Sequence, residues 1–339
     1  MNNTTDRLTK IQLISHYKKM LAPYQKSDLQ RGIFQLVNSL VPYLIIWALM
    51  IFSLKYPYWY TLLLIIPAAG FLIRIFIIFH DCGHRSFFKS NKANNIVGFF
   101  LGVLAFTPSG SWWHDHAVHH ATVGNLEKRG TGDVMTMTVE EYRQSSWITK
   151  ATYSFFRYPL VMFGLGPIFV FMLRQRIPPP RSRWKEIRSV LLTDLALIIM
   201  ALGLTLLFGW KAFVLIQIPV MWLAGLFGIY LFYIQHQFEN VYWAHDEQWD
   251  FISASKKGAS YFKLPGFLNW FTGNIGYHHI HHLNPRIPNY NLQECYKANP
   301  ELHDAPTITL VSSIKSLGLR LWDENSKKMT GFKVIQNQS

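Results

Sequence analysis

Long apolar runs constrain the fold of this chain more than any other feature of its sequence. Four of them, residues 33–54, 60–79, 189–208 and 213–234, are nearly free of ionisable side chains. An α-helix needs roughly 20 apolar residues to cross the hydrocarbon core of a bilayer. Lipid cannot hydrogen-bond to a backbone, so each run predicts one transmembrane helix.

Two further apolar stretches do not fit a straight span. Residues 97–106 number only about ten, fewer than a crossing helix needs. Residues 151–173 carry Arg157 and are interrupted by Gly164 and Pro167. We expect both stretches to be interfacial or re-entrant helices.

The positive charges indicate how the spans are oriented. The formal net charge is +14, and Lys and Arg residues crowd into the arm of residues 1–32 and into residues 174–188. The connections 55–59 and 209–212 carry one lysine each. Because Lys and Arg accumulate on the cytoplasmic side, we expect a multi-pass protein of the cell membrane with both termini cytoplasmic. Basic residues that flank spans do not indicate nucleic-acid binding; they fit anionic lipid headgroups or, alternatively, docking of an acidic electron-transfer protein.

The predicted organisation is therefore all-α and membrane-integral. Residues 1–32 form a cytoplasmic arm, residues 33–283 the membrane domain, and residues 284–339 a cytoplasmic segment that completes a helical cap. Helical apolar spacing at residues 308–322 predicts a helix within that segment. The two cysteines, Cys82 and Cys295, offer no disulfide framework.

Histidine clustering is the main chemical signal. Ten of the 14 histidines fall in three windows, HDCGH at 80–84, HDHAVHH at 114–120 and HHIHH at 278–282. Residues three or four apart project from one helix face, which is where metal ligands must lie. All three windows follow apolar segments at the predicted cytoplasmic side, so we expect them to converge. The histidines at ligand spacing are His80, His84, His116, His119, His120, His278, His281 and His282.

The number of imidazoles predicts two metals, because they exceed what one tetrahedral zinc can use. Imidazole suits zinc, copper, iron and nickel. Haem takes single axial histidines, which the HH pairs do not resemble. Iron that activates dioxygen fits the count, and zinc or copper remains open on spacing alone.

The three windows resemble the histidine boxes of membrane fatty-acid desaturases. The stretches FLIRIFIIFHDCGHRSFF, HHATVGNLEKRGTGD, LFYIQHQFE and TGNIGYHHIHHLNPRIPNYNL look like those of Bacillus-type acyl-lipid (phospholipid) desaturases, so the likeness covers most of the chain. One departure precedes the second box, where relatives often have Trp-Arg and this chain has Trp113-His114. We expect that change to alter a neighbouring contact and to leave the number of metal ligands unchanged.

The resemblance implies a di-iron centre with O2 as co-substrate and a ninth ligand, His236, at the end of the last span. It also implies that Asn274, four residues before His278, can complete the shell of one iron. Metal-bound imidazoles usually donate their second N–H to a carboxylate or carbonyl. Nearby carboxylates are Asp81, Asp115, Asp133 and Glu239. No catalytic residue is assigned beyond the metal ligands.

The implied reaction introduces a cis double bond into the acyl chains of membrane phospholipids. No flavin or haem domain is evident in the sequence, so a ferredoxin or flavodoxin is the expected electron donor. A hydroxylase or ketolase of the same superfamily is the alternative within this chemistry, and a membrane metal-ion carrier is the alternative from another class. The position of the double bond (delta-5, delta-9 or delta-12), the acyl length and headgroup, and the choice among acyl-lipid, acyl-CoA and acyl-ACP stay open.

Overall fold

The computed structural model describes residues 2–336, with side chains from residue 10 to residue 335. The side chain of Arg7, one of the basic residues in the arm of residues 1–32, and the last three residues of the C-terminal segment lie outside these ranges. The helices in chain order are α1 (Asn2–Leu21), α2 (Leu29–Ser53), α3 (Trp59–Gly83), α4 (Asn91–Leu104), α5 (Ser109–Thr122), α6 (Val139–Gln144), α7 (Trp147–Phe156), α8 (Trp184–Phe208), α9 (Trp210–Ala212), α10 (Ile218–His236), α11 (Phe251–Lys257), α12 (Gly266–Phe271), α13 (His278–Leu283), α14 (Asn289–Ala298), α15 (Leu310–Ser316) and α16 (Lys333–Gln336).

Four helical segments of the described chain are long and apolar enough to cross a membrane. They are α2, α3, α8 and the continuous stretch Trp210–His236, which joins α9 to α10. The four predicted spans and the helical membrane fold are confirmed. Both α3 and α10 run past the ends of their apolar runs, and these extensions carry His80 and His236.

The two doubtful apolar stretches are bent helical pairs. α4 and α5 meet at 100°, and α7 meets the helical segment Leu160–Arg176 at 62°. Pro108 immediately precedes α5, and Pro159 lies at the second bend. Proline removes a backbone donor and disfavours helix in the preceding residue, so neither stretch continues as one straight helix.

Helix α3 is the centre of the bundle. Its C-terminal half is almost completely buried, including Ile75, Ile78 and Phe79, and the helix packs against α2, α4 and α10. α8 is the opposite case, since Leu206 is 85% exposed. An apolar surface of this kind is stable only in contact with lipid or another apolar partner.

The two charged residues within the predicted spans, Arg74 and Asp194, both have partners. Asp194 forms an ion pair of 2.6 Å with Arg176, which also donates to the carbonyl of Phe106 at 2.5 Å. The guanidinium of Arg74 lies 3.9 Å from the ring centroid of Trp270 and donates to the Trp270 carbonyl. Charged groups at membrane depth need such contacts.

The segments outside the spans are not entirely helical. The described residues include five short strands: β1 (Met137–Thr138), β2 (Tyr261–Lys263), β3 (Thr307–Thr309), β4 (Leu321–Asp323) and β5 (Lys328–Thr330). β1 pairs parallel to β4, β4 antiparallel to β5, and β2 parallel to β3.

The single helix predicted for residues 308–322 is therefore wrong in its bounds. Only Leu310–Ser316 is helical, between β3 and β4. The hydroxyl of Thr309 accepts from the backbone of Ser312 and fixes the start of α15. Backbone pairing with distant strands determines the two ends of the stretch, and apolar spacing along the chain does not report such pairing.

Candidate metal centre

The three histidine boxes and His236 meet at the C-terminal ends of α3 and α10. α3 contributes the first box, α5 the second and the short helix α13 the third. Within each of two groups, one ring nitrogen per histidine lies within 4.8 Å of those of the other members. The first group is His80, His84, His116, His120 and His281, and the second is His119, His236, His278 and His282.

The nine histidines singled out from sequence are thus all brought together, but the boxes do not map onto the groups. His116 and His120, four residues apart, share the first group, whereas His119 belongs to the second. The third box is divided in the same way, with His278 and His282 in the second group and His281 in the first. Successive residues of an α-helix point about 100° apart, so adjacent histidines diverge to different groups.

The two groups adjoin each other. The rings of His120 and His282 stack with centroids 4.2 Å apart, and they belong to different groups. Within the second group, Nε2 of His236 lies 2.9 Å from Nε2 of His278. The two neighbouring groups of converging imidazole nitrogens can hold two metal ions side by side.

Burial and unused nitrogens show that these residues fit metal ions. His119 and His281 are fully buried, and His84 is the one member of the two groups that is partly exposed. Several buried ring nitrogens, including His84 Nε2 and His281 Nε2, have no hydrogen-bond partner among the described residues. A buried polar atom without a partner is costly, and a metal ion would satisfy it.

Electrostatics agrees with this fit. Burial lowers the pKa of His281 well below its usual range, and neighbouring imidazoles such as His80 lower it further. The same two causes act on His282. A neutral imidazole keeps a free lone pair, which is the form that binds a metal. The donor set contains only imidazole, which favours transition metals over calcium or magnesium.

Three of the histidines are held through their second nitrogen. Nδ1 of His80 lies 2.9 Å from a carboxylate oxygen of Asp81, and Nδ1 of His119 contacts Asp133. Nδ1 of His236 lies 2.9 Å from the carbonyl oxygen of Gly258. A proton on each Nδ1 leaves Nε2 free to face the group.

Three other residues proposed from sequence lie elsewhere. Glu239 is exposed and contacts Lys328, because the chain leaves α10 after His236 and turns toward β5. Asp115 lies on α5 one position before His116, so it points away from that ligand face; within the described residues it makes no hydrogen bond to a box histidine.

The side chain of Asn274 makes its hydrogen bonds to two other asparagines. Its Oδ1 accepts from Asn269 at 2.9 Å, and its Nδ2 donates to the Asn289 carbonyl at 3.2 Å. A spacing of four residues places two side chains together only inside a helix, but α13 begins at His278 and Asn274 has φ of 59°. The altered position His114 is exposed, contacts Arg183 and belongs to neither group.

Sequence reasoning missed two residues that contact the centre through others. The Gly258 carbonyl reaches His236 from a distant loop, and Asn289 binds Asp81. A carbonyl carries no sequence signal. Asn289 stands in a stretch, NPRIPNYNL, whose polar residues suggest turns as readily as a site.

The fold and the centre define a class, that of membrane proteins with two adjoining groups of buried histidines. The family model described as "Fatty acid desaturase" matches residues 23–310. The chain belongs to the fatty acid desaturase family, and it is an oxidoreductase of that family.

Known relatives agree over most of the chain. A fatty acid desaturase of Bacillus subtilis (strain 168) is 45% identical over 330 residues, which cover 96% of this chain and 94% of that protein. The endoplasmic reticulum omega-3 fatty acid desaturase of Vigna radiata var. radiata is 29% identical, covering 75% of this chain and 69% of that protein. The sn-1 acyl-lipid omega-3 desaturase (ferredoxin) of Synechocystis is 28% identical, covering 66% of this chain and 63% of that protein.

Proposed function

We propose that this desaturase uses O2 to introduce a cis double bond into acyl chains of membrane lipids at two non-haem iron ions. The nine clustered histidines are proposed as the ligands. The observation that carries the proposal is the pair of adjoining, buried, all-imidazole groups at the ends of membrane helices. Bound iron with O2 would supply the oxidising power that removal of hydrogen from an unactivated methylene requires, which no side chain has.

The protein's own residues keep the imidazoles ready for binding. Asp81, Asp133 and the Gly258 carbonyl fix the orientation of His80, His119 and His236. Fixed orientation lowers the reorganisation needed when the site binds its ligand. Burial excludes water from all of these imidazoles except that of His84.

Apolar rings next to the imidazoles support an acyl substrate. Trp112 stacks on His116 with centroids 4.5 Å apart, and Phe232 lies 5.1 Å from the rings of both His119 and His236. Both aromatic side chains are only partly buried. They offer an acyl chain an apolar surface directly against the two groups.

Charge and the relatives support proposals for the electron donor and the membrane location. Each double bond formed with O2 requires two further electrons, and the name of the Synechocystis relative specifies ferredoxin for that enzyme. We propose a ferredoxin or flavodoxin as the donor and membrane phospholipids as the substrates. We also propose residence in the cell membrane with the centre and both termini cytoplasmic, supported by the Lys and Arg residues beside the spans.

Expression in a bacterial host that lacks desaturases tests this function. Gas chromatography with mass spectrometry of total fatty acids should show acyl chains that have lost two hydrogens. His119→Ala and His281→Ala, one from each group, should each abolish them, while His114→Ala should not.

Two outcomes would contradict the proposal. Acyl chains that gain an oxygen would indicate the hydroxylase reaction instead. Unchanged fatty acids, with verified expression, iron and a reduced ferredoxin supplied, would remove the desaturase function.

A further inference from the structure

Asn289 donates two hydrogen bonds to the same buried carboxylate oxygen. Its backbone N–H donates to Asp81 Oδ2 at 2.7 Å, and its side-chain Nδ2 donates to the same oxygen at 2.8 Å. The other oxygen, Asp81 Oδ1, lies 2.9 Å from Nδ1 of His80. Asp81 and Asn289 are each 1% exposed. Asp81 is therefore held between a first-box histidine and a residue beyond the third box.

The amide of Asn289 has its own support. Its Oδ1 accepts from Nε2 of Gln35 on α2 at 2.8 Å, and Gln35 is 4% exposed. This contact determines which way the amide faces, because the oxygen meets a donor and the nitrogen meets the carboxylate. The carbonyl of Asn289 in turn accepts from Nδ2 of Asn274 at 3.2 Å, four residues before the third box.

Hydrogen bonds to a charged group are stronger than those between neutral groups. A buried carboxylate that loses such bonds destabilises the folded state around it. Asp81 is 1% exposed, so bulk water does not compete with the Asn289 amide for its carboxylate. Asp81 orients His80, and Asn289 holds Asp81, so the orientation of His80 depends indirectly on Asn289.

We propose that Asn289 is a positioning residue for the first histidine group, acting through Asp81 on His80. The inference rests on the proposed function, because the group is useful only if it binds a metal. It assigns a role in the metal centre to the segment after the third box, which sequence analysis left without one.

Cobalt(II) titration of the metal-free, detergent-solubilised full chain tests this role without measuring turnover. Cobalt bound by imidazoles absorbs visible light, so binding to the two groups can be followed spectroscopically. The parent should bind two cobalt ions, and His80→Ala should identify the step that belongs to the first group. Asn289→Ala should weaken that step roughly 10- to 100-fold, as loss of an outer contact does at other metal sites, and leave the other step unchanged.

Asn289→Asp separates positioning from packing. Aspartate has the shape of asparagine but places a second negative oxygen 2.8 Å from Asp81, where Nδ2 stood. If Asn289 only fills space, this variant should bind cobalt like the parent. The inference expects it to weaken the first-group step at least as much as Asn289→Ala does.

Gln35→Met gives a graded comparison. It removes the contact that orients the amide but leaves both Asn289 donors beside Asp81. It should lower thermal stability and weaken the first-group step less than Asn289→Ala does. If the Asn289 variants do not fold, Asp81→Asn tests the same contacts, because it keeps the side-chain shape and removes the charge that Asn289 stabilises, and it should weaken the first-group step.

The failure of this inference can be told from the failure of the proposed function. Parent-like cobalt binding by Asn289→Asp, in a chain whose parent forms double bonds, overturns the role of Asn289 alone. A parent that forms no double bonds but still shows two cobalt steps, one weakened by Asn289→Asp, overturns the desaturase proposal alone.

Discussion

Replacing Gly98 with alanine should destabilise the fold next to the first histidine group. Gly98 lies on α4, and a Cβ added there would stand 2.5 Å from Cζ2 and 2.7 Å from Cη2 of the Trp113 indole. Non-bonded carbons prefer roughly 3.5–4.0 Å, so the indole would have to move by about 1 Å. The opposite edge of the indole packs closely against Gly83, where an added Cβ would lie 2.3 Å from Trp113 Cδ1. The indole therefore has no room to move away from Gly98.

The expected magnitude follows from two opposing effects. Overpacking of a well-packed core costs about 1–3 kcal/mol, and a contact this short belongs in the upper part of that range. Exchange of glycine for alanine inside a helix returns up to about 1 kcal/mol. The net loss of unfolding free energy should be about 2 kcal/mol. Because Trp113 donates to the Phe79 carbonyl at 3.2 Å, beside His80, first-group cobalt binding should weaken too.

Gly203→Ala is the matched control for this measurement. Gly203 lies on α8, and a Cβ there would meet nothing within 4 Å. Urea unfolding of both variants in mild detergent, followed by circular dichroism, should place Gly98→Ala about 2–3 kcal/mol below Gly203→Ala. Combination with Trp113→Phe should recover part of the loss, which a double-mutant cycle measures.

Equal unfolding free energies for the two glycine variants would refute the reasoning. So would a strictly additive cycle between Gly98 and Trp113, since the predicted cost arises only from their contact.

Three further predictions concern the centre and its surroundings. Asp133→Asn should weaken cobalt binding to the second group roughly 10- to 100-fold, because His119 loses its carboxylate, and cobalt titration measures this. The metal-free protein should lose thermal stability as the pH falls from 7.5 to 5.5. The pKa of the buried His281 is lowered, so below about pH 6.5 the unfolded chain takes up protons that the folded chain does not. Each such histidine contributes up to about 1.4 kcal/mol per pH unit, and a melting temperature independent of pH would contradict this. Arg157→Met should cost about 2–4 kcal/mol in urea unfolding, because it leaves the buried Gln237, whose Oε1 lies 2.8 Å from the guanidinium, without its charged partner, and a loss below 0.5 kcal/mol would show that the contact is dispensable.

The amino-acid sequence determined the spans because lipid imposes a simple rule. Any helix that crosses a bilayer must be apolar over roughly 20 residues, so the four helices can be recognised in the sequence as long apolar runs. Their ends were less exact, and α3 continues to Gly83, past the predicted end at residue 79. That extension is buried inside the protein, where polar side chains such as Asp81 form hydrogen bonds with other residues instead of with water.

Sequence also determined which imidazoles take part, since metal ligands must share a helix face. It indicated the contacts around them only in part: Asp81 and Asp133, two of the expected carboxylates, contact His80 and His119. Asn274 looked correctly spaced only on the assumption that α13 began earlier, and Glu239 only if the chain continued straight after α10. Asn289 lies more than 200 positions from Asp81, and no local pattern joins them.

The tertiary structure alone decided how the histidines are divided between two groups. A box supplies imidazoles in two directions, because neighbouring residues on a helix diverge by about 100°. The packing of α3, α5, α10 and α13 decides which imidazoles come together. His119 therefore lies in one group with His236, and His120 in the other with His84. Spacing along the chain fixes the directions within one helix, and only packing between helices brings those directions together.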